Sequence, residues 1–188
     1  MNRFNPEQLP ANLPAPEDDG ASSHLIGKPL PDVTLTSTSG ASVNLSNKTG
    51  WLVIYCYPLT GKPGMSLPDQ WDSIPGARGC TPQACAFRDH HAELSALDAT
   101  VFAISTQTSS YQLEMASRLH LNFEVLSDAD LQFSSALNLP MMQVADMTLN
   151  RRLTMICNES TIRQVHYPVF PPDQDAARVV EWLRQHHQ

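Results

Sequence analysis

Two cysteines stand five positions apart in Gly79-Cys80-Thr81-Pro82-Gln83-Ala84-Cys85-Ala86-Phe87-Arg88-Asp89. Gly79 followed closely by Pro82 reads as a helix start, since proline suits the first helical turn. A cysteine there faces unpaired backbone N–H groups at the positive end of the helix dipole, and both stabilise a negative sulfur. Arg78 and Arg88 lie close by in sequence. Cys80 is therefore a candidate nucleophile. In an ideal helix, positions five apart have Cα atoms roughly 8.5 Å apart, whereas a disulfide wants roughly 4.4–6.8 Å. If Cys80 and Cys85 pair, the first turns must unwind, and the dithiol form is the one with the regular helix.

Cys56 and Cys157 sit in apolar strand-like runs and read as inert core residues. Zinc is disfavoured, because C-x₄-C has no matching second half and no H-x₃₋₅-H follows. No metal and no cofactor is expected. Four cysteines in 188 residues are too few for a disulfide framework.

The elements around the pair alternate. Val33 to Thr36 and Ser42 to Leu45 flank Ser39-Gly40 as a hairpin, and Trp51 to Tyr57 is an apolar run ended by Pro58. A helix runs from Cys80 past Leu94, with Ala84, Phe87, His91 and Leu94 on one stripe. A strand at Thr100 to Ser105, a helix at Ser110 to Leu121, a strand at Phe123 to Leu126 and a helix at Asp130 to Leu137 follow. Strands at Arg152 to Cys157 and Thr161 to His166 form a second hairpin, and Asp175 to Gln185 is a closing helix. The order implies an α/β sandwich with a mixed sheet. Residues 1 to about 24, with four prolines, form an extended arm ahead of a domain spanning 25–188. The connection 58–79 is far longer than the usual 2–6 residues between strand and helix. Trp71 and Ile74 suggest that it packs down.

The chain has no internal repeat, and its net charge of -7 and pI near 5.4 argue against nucleic acid or anionic membrane as a partner. No apolar stretch is long enough for a signal peptide core or a bilayer span. A cytoplasmic protein is expected, where a cysteine pair is more often transient than structural.

GCTPQACAFRDHHAEL, between WLVIYCYP and VFAIST, resembles the peroxiredoxins, and among them the peroxiredoxin Q or bacterioferritin comigratory protein subgroup. The resemblance runs over roughly residues 27 to 183, and C-T-x-x-A-C-x-F-R-D is its specific core. It implies a thioredoxin-like fold and a thiol peroxidase. Cys80 would attack a hydroperoxide and become sulfenic acid, and Cys85 would condense with it to a disulfide. A thioredoxin-type dithiol would then reduce that bond. Arg152, in RRLTMIC, would match the family arginine, with Arg151 on the opposite face. The expected partners are a hydroperoxide and a thioredoxin-like reductant, in a monomer or weak homodimer. One departure is evident: the family threonine three positions before the cysteine is Ala77 here, and Pro58 and Thr60 stand ahead of the long loop instead. Either Thr60 returns its hydroxyl to Cys80 across the loop, which is the expectation taken here, or the site works without that hydroxyl. The alternative is a redox-sensing or thiol-binding protein on the same fold, with weak peroxide turnover. A third, weaker reading is an interaction module using the arm and the 58–79 loop.

Overall fold

The computed structural model describes residues 9, 10 and 12–186. The centre is β3 (Trp51–Cys56), whose residues alternate between two buried faces. Leu52, Ile54 and Cys56 enter one apolar cluster, with Phe102, Phe133 and Met155. Val53 and Tyr55 enter the other, with Phe87, Met115 and Val179. An uninterrupted apolar run is what such two-sided burial requires.

β3 pairs in parallel with β4 (Ala99–Ser105), and β4 in parallel with β5 (Glu124–Ser127). The hairpin of β1 (Thr34–Ser37) and β2 (Ser42–Asn44) adds antiparallel to β5. On the other side β8 (Leu153–Asn158) pairs antiparallel with β3, and β9 (Thr161–His166) closes the sheet. The seven strands run in the order β2-β1-β5-β4-β3-β8-β9. Helix α1 (Cys80–Asp89), α2 (His91–Ala96), α3 (Ser109–Arg118) and α5 (Asp175–His186) pack on the face that holds Tyr55, and α4 (Gln132–Leu137) on the other. This is the mixed α/β sheet with an N-terminal hairpin expected from the sequence.

Two details differ from that expectation. The long helix after Cys80 is broken at His90 into α1 and α2. A further hairpin, β6 (Met141–Val144) with β7 (Met147–Asn150), stands apart as a two-stranded sheet. Its two-residue turn is Ala145-Asp146, with Ala145 at φ 50°. Glycine or asparagine normally supplies that conformation, so the turn left no signal in the sequence.

The 58–79 connection packs against this hairpin. Leu59, Trp71 and Ala77 form an apolar cluster with Val144 and Leu149, and Ile74 packs on its edge. Of the arm expected at 1–24, residues 1–8 and 11 lie outside the described residues. The described part holds no helix or strand before Gly20. It is tied down at Asp19, which accepts a 2.9 Å hydrogen bond from the Tyr167 hydroxyl and lies 3.6 Å from Arg151.

Candidate active site

Helix α1 begins at Cys80, with Gly79 as its N-cap at φ 110°. Gly79 has no room beside it for a side chain: a Cβ there would lie 2.4 Å from Pro172 Cγ and 2.9 Å from Leu9 Cδ2. Glycine is required by both the left-handed backbone and the close packing. The first helical turn is thereby pinned between the arm and the segment leading into α5.

Cys80 is 5% exposed, and its Sγ lies 3.2 Å from Nη2 of Arg152. The thiol also points at the Ala77 carbonyl, 3.8 Å away. Arg152 stands just before β8 and is 3% exposed, while Arg151 faces outward. The same Nη2 donates to the carbonyls of Ala77 at 3.1 Å and of Gly76 and Arg78 at 3.4 Å each. Arg152 therefore clamps the end of the long connection as it enters α1. A buried charge costs several kcal/mol unless it is compensated. No carboxylate forms an ion pair with Arg152 among the described residues, and of the groups it touches only the Cys80 sulfur can carry negative charge.

Sequence reading missed the groups that aim the guanidinium. Gln83, one turn after Cys80 and fully buried, accepts from Arg152 Nη1 through its Oε1. Its Nε2 donates to Asp175 Oδ2 at 2.7 Å, and Thr154 donates to the same oxygen at 2.6 Å. An acceptor-only carboxylate on one side and a donor-only guanidinium on the other fix the orientation of the Gln83 amide. The helical offset of three between Cys80 and Gln83 was the available signal, since such pairs share a face.

Thr60 is not brought to the sulfur. It is 1% exposed, and its hydroxyl donates 3.1 Å to Gln107 Oε1, which also accepts from the Thr60 N–H at 2.9 Å. The small pocket over Cys80 is walled by Leu59 and Gly61, and Thr60 is not among the residues that line it. The hydroxyl expected from the sequence is thus engaged elsewhere. The pocket is completed by Leu67, Trp71, Arg78 and Thr81, and Arg78 pairs with Asp72 at 2.8 Å.

Cys85 is half-buried on α1, and all four cysteines are free thiols. Both members of the pair lie within one continuous helix, as the spacing argument requires of the dithiol state. Burial pushes the Cys157 thiol up to about 12 and raises that of Cys56 as well. Among the described residues no group of three or more His, Cys, Asp or Glu could hold a metal ion.

A family model described as Redoxin matches residues 25–181. Peroxiredoxin bcp1 of Schizosaccharomyces pombe is 32% identical over 127 residues, covering 65% of this chain but only 57% of its own length. The chloroplastic peroxiredoxin Q of Oryza sativa subsp. japonica is 28% identical over 184 residues, covering 93% of this chain and 76% of its own. Among solved structures, the Mycobacterium tuberculosis peroxidoxin BcpB superposes with a TM-score of 0.70 at 23% identity, covering 87% of this chain and 98% of its own. A Xanthomonas campestris peroxiredoxin Q gives 0.67 at 21% identity, with 85% and 96% covered. The chain belongs to the redoxin family, in its peroxiredoxin Q and Bcp subgroup.

Proposed function

We propose that this protein is a thiol peroxidase in which Cys80 is the peroxidatic and Cys85 the resolving cysteine. The observation that carries the reading is the 3.2 Å contact between Cys80 Sγ and the buried Arg152 guanidinium at the start of α1. The thiolate attacks the outer oxygen of a hydroperoxide, the O–O bond breaks, and Cys80 becomes sulfenic acid. The released alkoxide takes a proton and leaves as alcohol, or as water from hydrogen peroxide. Arg152 donates to sulfur and can follow the charge as it moves onto the departing oxygen, which is stabilisation aimed at the transition state. Cys85 then condenses with the sulfenic acid, forming a disulfide and releasing water.

That second step needs α1 to open at its first turns. The disulfide is then returned to two thiols by an external dithiol protein of the thioredoxin kind. Cys80, Gln83, Cys85, Arg152 and Asp175 all come from one chain, so a monomer suffices for the chemistry. Four free thiols suit a reducing compartment such as the cytoplasm. No described helix is long and apolar enough to cross a membrane.

The test is a peroxide-consumption assay coupled to thioredoxin and its reductase. Wild type is expected to turn over, and Cys80→Ser to be inactive. Turnover by the Cys80→Ser protein would overturn the assignment.

A further inference from the structure

Tyr55 lies on β3, beneath the helix that has to open. It stands opposite Thr154 of β8, whose hydroxyl holds Asp175, and Arg152 comes two residues before Thr154. Its ring stacks on Phe87 of α1, with centroids 4.5 Å apart and planes within 5°. Cys80, Ala84 and Phe87 belong to the same apolar cluster as Tyr55. The ring is therefore packed between the strand that follows Arg152 and the helix that carries both cysteines.

Tyr55 is wholly buried, yet among the described residues its hydroxyl has no hydrogen-bond partner. The other three tyrosines each use theirs, Tyr57 on Gln112, Tyr111 on the Thr60 carbonyl and Tyr167 on Asp19. Burial pushes the Tyr55 hydroxyl well above its ordinary value of 10.0, with Cys80, Asp175 and Cys85 adding to the rise and Arg152 opposing it. It stays protonated, a donor without an acceptor, among the groups of the reaction site. Two further buried atoms of that site, Arg152 Nε and Asp175 Oδ1, also lack a hydrogen-bond partner among the described residues.

An unpaired buried donor weighs against the state that buries it by roughly five- to a hundredfold. Here that state is the closed helix. When α1 opens, its first carbonyls are released, beginning with that of Gly79, which accepts from the Gln83 N–H in the closed form. Water also reaches the space beneath. Either supplies the missing acceptor.

We propose that Tyr55 is a positioning residue for the second step: its unpaired hydroxyl keeps the cost of opening α1 low, so that Cys85 can reach the oxidised Cys80. This rests on the thiol-peroxidase reading and adds to it the element that favours opening. In the step itself the Cys85 sulfur attacks the Cys80 sulfur, the S–S bond forms and the S–O bond breaks. The oxygen leaves as water, taking the Cys85 proton. Tyr55 makes and breaks no covalent bond. It shifts the balance between the closed and the open helix.

The experiment compares wild type with Tyr55→Phe, which keeps the ring on Phe87 and removes only the hydroxyl. Rapid-quench mass analysis after mixing with hydrogen peroxide follows the dithiol, the sulfenic acid and the 80–85 disulfide, and gives the rate constants of both steps. The ratio of the second to the first is expected to fall about tenfold in the variant, and sulfinic acid to accumulate at lower peroxide. The dithiol form of the variant is also expected to unfold at higher denaturant than wild type. A ratio within twofold of wild type overturns this inference alone. So does an unfolding midpoint no higher than wild type, which would show the hydroxyl to be partnered in the closed state. No oxidation of Cys80 in wild type, or none that goes on to the 80–85 bond, fails the peroxidase reading and this inference with it.

Discussion

Arg152 brings a positive charge to a place where the groups it meets are carbonyls, one amide oxygen and the Cys80 sulfur. A hydrogen bond to a charged group is worth about 1.5–3 kcal/mol, so Arg152→Leu should slow the first oxidation step about ten- to a hundredfold. Stopped-flow measurement of that step checks it, and a rate within a factor of two of wild type would reject the role. Thr60 gives the opposite expectation. Its hydroxyl serves Gln107, so Thr60→Val should cost about 1 kcal/mol of unfolding free energy and leave the oxidation rate nearly unchanged. A denaturant titration beside the kinetic trace separates the two effects. At this scale the place of Cys80 at a helix start was legible because helix-start spacing is local, whereas Arg152 was singled out by the resemblance, strand alternation only setting it apart from Arg151. Gln107 was not legible, since it meets Thr60 across 47 positions of chain. Alkylation of the native protein near pH 8 should label Cys80 and Cys85 and spare Cys157 and Cys56, whose thiols burial holds protonated.

Helix α1 holds both cysteines of the proposed redox pair, and its geometry conflicts with their joining. Oxidation must therefore break the bond from the Gln83 N–H to the Gly79 carbonyl, 3.1 Å in the dithiol state, and those that follow it. Gln83, held there by Arg152 and Asp175, lies within the turns that open. Amides from about Gln83 to Arg88 should lose hydrogen-exchange protection when the 80–85 disulfide forms. Retained protection in a protein shown by mass to hold that bond would contradict the unwinding. The main strands and helices were readable from apolar runs and periodicity, because each buries a continuous face of one of two large clusters. The β6–β7 hairpin was not, since its turn lacks glycine and its partner is a long connection whose regular structure is a single 3₁₀ turn, Trp71–Ser73.

On the scale of the whole molecule, the parts that lie outside the seven-stranded sheet converge on one site. The arm and the segment before α5 both press on Gly79, and the long connection with the β6–β7 hairpin encloses the other side of Cys80. Asp19 fastens the arm, its carboxyl held below the ordinary value of 3.8 by the Ala21 N–H, the Tyr167 hydroxyl and Arg151. A carboxylate with a lowered value contributes its attachment above the ordinary value and loses it as pH falls through the lowered one. The arm should thus stay docked at pH 5 and loosen only below about pH 4, measured by exchange at Gly20 and Ala21. Loosening already at pH 5 to 6 would show that another group holds it.

The whole account depends on Cys80 and Cys85 acting as a pair, and peptide mapping by mass after one equivalent of hydrogen peroxide tests this most directly. The expected product has lost two hydrogens, carries a single cross-link between the peptides of Cys80 and Cys85, and has consumed the peroxide. Consumed peroxide with no 80–85 cross-link, or an unchanged protein beside intact peroxide, would contradict it.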